Sequence, residues 1–224
     1  MKTLGLTRFE ATLWAVSATV IVAAFGLSGW QNIGTMVTSL IGVTAVLFIA
    51  KGYVIGQVLV AVFSLLYGVI SLFQQYYGEV ITYLGMTTPS AIVTAVVWLK
   101  HPFRESREVT VAPLTKGKIA VVAIVTTAAT VVFYVVLKAL GNADLLVSTV
   151  SVATSMAASC LTAFRSPYYA IGYASNDVVL IVLWTLAAVR DPSLLPMVAC
   201  FAVFLVNDLY GFVQWKRMQH RQED

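Results

Sequence analysis

The sequence predicts an all-α integral membrane protein of eight transmembrane helices. Two parallel three-helix repeats are joined by a linker helix, and one extra helix precedes them. Three observations lead there. Of 224 residues, 59% are hydrophobic and only 11% are charged, against about 25% charged in an ordinary soluble chain, and the mean hydropathy is +0.87. The apolar residues gather into eight continuous runs, each long enough to cross a hydrocarbon core of about 30 Å. The chain also matches itself at an offset of 116 residues.

In order, the runs are 9–28, 33–50, 53–76, 79–99, 118–138, 144–164, 169–189 and 194–215. They are continuous rather than alternating every second residue, so they are helices and not barrel strands, the only other structure that satisfies its backbone within a bilayer. The first run has no convincing small-residue cleavage site and seven more follow it, so it is read as a helix and not a signal peptide. Cys160 and Cys200 fall inside spans without metal or disulfide spacing and are read as buried free thiols.

Threading these spans puts Lys2, Arg8, Lys51, Lys100, Arg104, Arg107, Lys116, Lys118, Arg165, Lys216, Arg217 and Arg221 on one side, with Lys138 and Arg190 on the other. By the positive-inside rule both termini are cytoplasmic. The basic 100–118 loop is a topology signal, with lipid headgroups as a second role. No nucleic-acid partner is implied.

At the 116-residue offset, Tyr53, Ile55 and Gly56 align with Tyr169, Ile171 and Gly172, and Thr35, Thr38 and Ser39 align with Ser151, Thr154 and Ser155. One residue further on, Trp98 pairs with Trp215. The unit is therefore 33–50, 53–76 and 79–99, repeated as 144–164, 169–189 and 194–215. A single intervening helix gives both units the same orientation, as in the SWEET sugar transporters, and puts a substrate site between them near the midplane. The chain divides into an extra helix (1–30), a first repeat (31–100), the basic loop and linker helix (101–140), a second repeat (141–217) and a cytoplasmic tail (218–224).

Polar residues mark particular faces. Ser148, Ser151, Ser155, Ser159 and Thr162 recur at helical spacing, answered in the first repeat by Asn32, Thr35 and Ser39. Small residues of this kind first serve close helix packing. Gln57, Ser64, Ser71 and Gln75 run along the third span with Tyr67 nearby, and Thr82, Tyr83, Thr87 and Ser90 dot the fourth, which carries Pro89. Gln74, Gln75, Trp215 and several tyrosines also suit the membrane interface. Gly34, Gly56, Gly172 and Pro89 are places where helices approach or bend. Asp177 and Asp208, each preceded by an asparagine, lie inside spans of the second repeat. A carboxylate there costs several kcal/mol and is normally turned to a polar interior, as a hydrogen-bonding site or as a helix-to-helix bond.

No HExxH, GxSxG or Gly-rich phosphate loop is present, and the loops are too short for a nucleotide-binding domain. The chain is thus not expected to be an enzyme, to hold a metal or cofactor, or to pump with ATP by itself. A transporter is expected; a membrane scaffold or receptor subunit is the alternative from another class.

The stretches "YGEVITYLGMTTPSAIVTAVVWLKHPF", "FRSPYYAIGYASNDVVLIVLW" and "VFLVNDLYGFVQWKR" resemble the PnuC-type vitamin and nicotinamide riboside transporters, particularly those of Gram-positive bacteria, over residues 30–217. The resemblance implies a SWEET-like fold, often trimeric, that moves nicotinamide riboside by facilitated diffusion while a cytoplasmic kinase traps it by phosphorylation. Relatives carry thiamine, riboflavin or deoxynucleosides. The family's Trp-x-x-x-Asn pattern falls on Tyr173 and Asp177, with Tyr in place of Trp and Asp in place of Asn, and Asn207 matches the Asn of its last motif. The expected substrate site comprises Tyr173, Asn176, Asp177, Asn207, Asp208, Gln57, Tyr67, Thr87 and Trp184. In it a ring stacks on Tyr173 and hydroxyls bond to Asn176, Asp177, Asn207 and Gln57.

Overall fold

A computed structural model of the chain describes residues 5–30, 32–73, 77–142 and 144–224. Among these, eight helices are long and apolar enough to cross a membrane, as expected. They are α1 (Arg8–Leu27), α2 (Ile33–Ala50), α3 (Val54–Phe73), α4 (Gly78–Leu99), α5 (Lys116–Ala139), α6 (Leu145–Ala163), α7 (Tyr169–Arg190) and α8 (Leu195–Glu223). Gln75 of the polar stripe and the interface residue Gln74 lie outside the described residues, as does Lys2.

Local chemistry sets the ends. Thr7 caps α1 in a capping box, with the Glu10 amide donating to Thr7 Oγ1 at 3.2 Å and the Thr7 amide to Glu10 Oε2 at 2.7 Å. Thr115 caps α5. The α2–α3 turn passes through Gly52 at φ 68°, a conformation that glycine adopts without a Cβ penalty. In α4, residues Ile81–Thr87 form a π-helix just before Pro89. Proline lacks an N–H and its ring crowds the preceding turn. Thr88 Oγ1 donates to the Tyr83 carbonyl at 2.9 Å and Thr87 Oγ1 to the Thr82 carbonyl at 3.3 Å, which satisfies carbonyls in the widened turn.

Taken as two units, α2–α4 and α6–α8, the helices meet reciprocally: α2 packs on α8, and α4 packs on α6. Within each unit the second helix crosses the first at the aligned glycine. A Cβ on Gly56 would sit 2.6 Å from the Ile49 backbone nitrogen, and one on Gly172 would sit 2.9 Å from Ala158 Cβ. At such crossings only hydrogen fits. The α5 helix lies at the periphery against α6, its face of Ile124, Val131, Val132 and Val135 left to lipid. The α1 helix packs on α2 and α8. There the buried Glu10 takes Lys51 Nζ at 2.8 Å, and Trp14 Nε1 donates to Thr44 at 3.0 Å.

The expected final span stops near 215, before a tail, yet α8 continues to Glu223. The extension has work to do: the Gln222 side chain accepts from the Val111 amide at 2.7 Å and donates to the Val109 carbonyl at 3.1 Å. The basic loop is correspondingly an ordered strap. Its Val109 amide donates to the Gly52 carbonyl at 2.9 Å, and its Ala112 amide donates to the Arg165 carbonyl at 3.0 Å. It thereby bonds to the α2–α3 turn and the α6–α7 turn, and buries Val109 against Trp98 and Trp215.

Candidate functional site

A cavity of about 130 Å³ lies between the two units, room for roughly ten waters. At the end where α4 and α6 begin it is lined by Glu79, Asn142 and Ser148, all half-buried. It runs inward past Thr87, Asn176, Asp177 and Tyr173 to Ile49 and Tyr169, near the end that carries both termini. Beyond Tyr169 it is closed. Trp98 and Trp215 are fully buried with ring centroids 5.4 Å apart, and Tyr169 stands edge-on to Trp215 at 4.9 Å. Each indole bonds across to the other unit: Trp98 Nε1 donates to the Thr162 carbonyl of α6 at 3.0 Å, and Trp215 Nε1 to the Ile49 carbonyl of α2 at 2.8 Å. Both acceptors are the penultimate residues of their helices.

Of the residues expected from sequence, Tyr173, Asn176, Asp177, Asp208 and Thr87 line this one cavity. The α6 polar stripe explains how two of them are held. Ser151 and Thr154 hydroxyls donate to Asn176 Oδ1 at 3.1 and 2.9 Å, leaving the amide NH2 as the group to present, and Ser159 lies 3.1 Å from the Tyr173 hydroxyl. Asp177 of α7 and Asp208 of α8 are neighbours. Asp177 is 4% exposed, and its Oδ2 has no hydrogen-bond partner.

The other four sit elsewhere. Asn207 is one residue from Asp208, and about 100° of helix rotation turns it away from the cavity. Its Nδ2 donates to Ser17 of α1 at 2.9 Å and to the Val203 carbonyl at 2.8 Å. Tyr67 and Trp184 line a second cavity of about 20 Å³, with Phe25, Asn32 and Met197, room for roughly one water. Tyr67 also packs on Tyr83 with centroids 4.5 Å apart, so it stands behind the wall of the main cavity. Gln57 is buried outside both linings.

Sequence reasoning passed over Glu79, Tyr169 and the rings of Phe63, Phe201 and Phe204, all of which line the cavity. Glu79 had a legible signal, as an acidic residue at the edge of an apolar run. The phenylalanines had none, because every span is rich in apolar side chains. The lining combines aromatic faces, hydroxyls and three carboxyl groups, and among the described residues it contains no Lys, Arg or His.

A polytopic helical bundle with a polar, ring-lined cavity between two reciprocally packed units defines a membrane transport protein. The chain belongs to the nicotinamide mononucleotide transporter family, whose pattern its residues 32–217 match. It is 26% identical to the nicotinamide riboside transporter PnuC of Neisseria mucosa, over 97% of this chain and 84% of that protein. It is 22% identical to the transporter of the same name from Haemophilus influenzae, over 83% of this chain and 80% of that protein. The crystal structure of a vitamin B3 transporter, PnuC, shares its fold, with a TM-score of 0.83 and 24% identity over 97% of this chain and 94% of that one.

Proposed function

We propose that the protein moves nicotinamide riboside, or a closely related nucleoside or vitamin, across a bacterial plasma membrane by facilitated diffusion, with both termini in the cytoplasm. The observation that carries this reading is the chemistry of the cavity: aromatic rings for a flat base, Asn176 and Asp177 for hydroxyls, and, among the described residues, no basic side chain for a phosphate. The relatives are named for the riboside and the family for the mononucleotide. A phosphate brought among three carboxyl groups would meet repulsion without a compensating cation, which favours the riboside. Deoxynucleosides, thiamine and riboflavin share enough of this chemistry to be the competing substrates.

Alternating access follows from the two units rocking about the cavity. The fully buried Trp98–Trp215–Tyr169 cluster supports an outward-facing state closed on the cytoplasmic side. The basic side chains gathered at that end support the orientation. Phosphorylation by a cytoplasmic kinase would remove the internal substrate and keep the gradient inward, and the chain is expected to work as a homo-oligomer. The test is uptake of labelled nicotinamide riboside into proteoliposomes without ATP or an ion gradient. Saturable uptake that an uncoupler leaves unchanged is expected; uptake abolished by the uncoupler overturns facilitated diffusion, and no uptake overturns the substrate.

A further inference from the structure

Glu79 lines the cavity at its outer end and is half-buried. Among the described residues its side chain has no ion-pair or hydrogen-bond partner. The two basic groups nearest this end of the bundle are otherwise occupied: Arg190 pairs with Asp144, and Lys138 lies 5.9 Å from the Tyr134 ring centroid. Deeper in the same cavity stands Asp177, 4% exposed, with Oδ2 unpartnered. Tyr83, one helical turn on from Glu79 in the same helix, lines the cavity as well. Its ring is fixed edge-on to Phe63 at 5.8 Å and tilted against Tyr67 at 4.5 Å.

Carboxyl groups and a fixed aromatic ring lining one cavity, with no basic side chain among the described lining residues, are complementary to a particular chemistry. A flat organic cation in this cavity can meet both an aromatic quadrupole and carboxylate charge. It also supplies the counter-charge that lets both carboxyls stand ionised in a low-dielectric site. A neutral nucleoside of the same shape supplies neither. We propose that Glu79 is a charge-selecting residue of the transport site: with Asp177 and Tyr83 it forms an organic-cation subsite, so the protein prefers a positively charged heterocycle over its neutral counterpart. This rests on the nucleoside reading above and divides its candidates, placing pyridinium and thiazolium compounds ahead of riboflavin and the deoxynucleosides.

The experiment compares nicotinamide riboside, a pyridinium cation, with its reduced 1,4-dihydro form, which is neutral and nearly identical in shape. Both are titrated calorimetrically into the purified full-length protein and into Glu79→Gln and Glu79→Asp, each checked for folding by gel filtration. The wild type is expected to favour the cation by roughly tenfold or more, the scale of one charge-assisted contact. Glu79→Gln should lose most of that preference by weakening the cation alone, with the neutral form within about twofold of wild type, and Glu79→Asp should retain it. Equal loss for both forms in Glu79→Gln, or an unchanged preference, overturns charge selection and leaves the nucleoside reading standing. Failure of the wild type to bind either form overturns the nucleoside reading itself, and the proposal with it.

Discussion

Replacing both tryptophans of the seal by phenylalanine, Trp98→Phe with Trp215→Phe, tests whether the cross-unit bonds hold the terminus-bearing end closed. Phenylalanine keeps a ring in the cluster and removes only the indole N–H and its fused edge. Each acceptor keeps a second donor: the Gly52 amide lies 2.8 Å from the Ile49 carbonyl, and the Arg165 amide lies 2.9 Å from the Thr162 carbonyl. No buried carbonyl is therefore orphaned, so the lost hydrogen bond costs only its net value, about 1 kcal/mol, and the cavity left by the fused edge adds to it in the same direction. Those bonds exist only while α4 touches α6 and α8 touches α2, so their loss shifts the balance toward the open state by about fivefold each and roughly thirtyfold together. The rings are in contact, so both single variants belong beside the double one. A reporter cysteine at Val46, which lines the cavity, in a background with Cys160 and Cys200 changed to alanine, would be labelled by an impermeant reagent applied to the terminus-bearing face. Labelling should accelerate by those factors while the protein stays folded. A rate unchanged in the double variant would refute the reasoning and reduce the pair to packing.

Asp177→Ala should weaken substrate binding by about 1.5–3 kcal/mol, roughly ten- to a hundredfold; calorimetry showing unchanged affinity would remove Asp177 from the site. Asn207→Ala, one residue before the second carboxyl, should instead leave affinity alone and lower the melting temperature, because its amide ties α8 to Ser17 of α1; a loss of affinity without loss of stability would contradict this. Gly56→Ala should cost about 1–3 kcal/mol as an overpacked crossing, since its Cβ would meet the Ile49 backbone at 2.6 Å; unfolding in detergent at the wild-type temperature would show that the helices separate freely. The Arg190 guanidinium beside Asp144 holds its carboxyl below the usual carboxylate range. The lowered value means the pair stabilises the fold above about pH 3.9 and stops doing so as pH falls through the folded-state value. Asp144→Asn should therefore narrow the stability difference between neutral and acid pH slightly, and a variant with the same profile as wild type would show the pair to be inert.

The eight spans were legible in the amino-acid order alone, because a bilayer forces each crossing segment to satisfy its own backbone and to be apolar along its whole length. Only the ends escaped: α8 runs on to Glu223 because Gln222 bonds to a loop more than a hundred residues away in the chain. The 116-residue offset paired Gly56 with Gly172, and each proved to be a point of close helix approach in its unit. One residue further on it paired Trp98 with Trp215, and the two proved to be in contact at one end of the bundle.

Which neighbour each polar side chain meets was settled by packing instead. Asn207 and Asp208 look alike in sequence, as adjacent polar residues in an apolar helix. One turns to Ser17 and the other to the cavity, since both faces of α8 are covered by other helices. Tyr67 and Trp184 were polar-edged rings on expected core faces, and packing turned them to a different, smaller cavity. Glu79 read as the edge of a span until the fold placed it in one cavity with Leu137 of α5 and Ser148 of α6. In a soluble helix, hydropathy separates the face toward the core from the face toward water. In a membrane helix lipid and protein neighbours are equally apolar, so the direction of each face is set by contacts between segments distant in the chain.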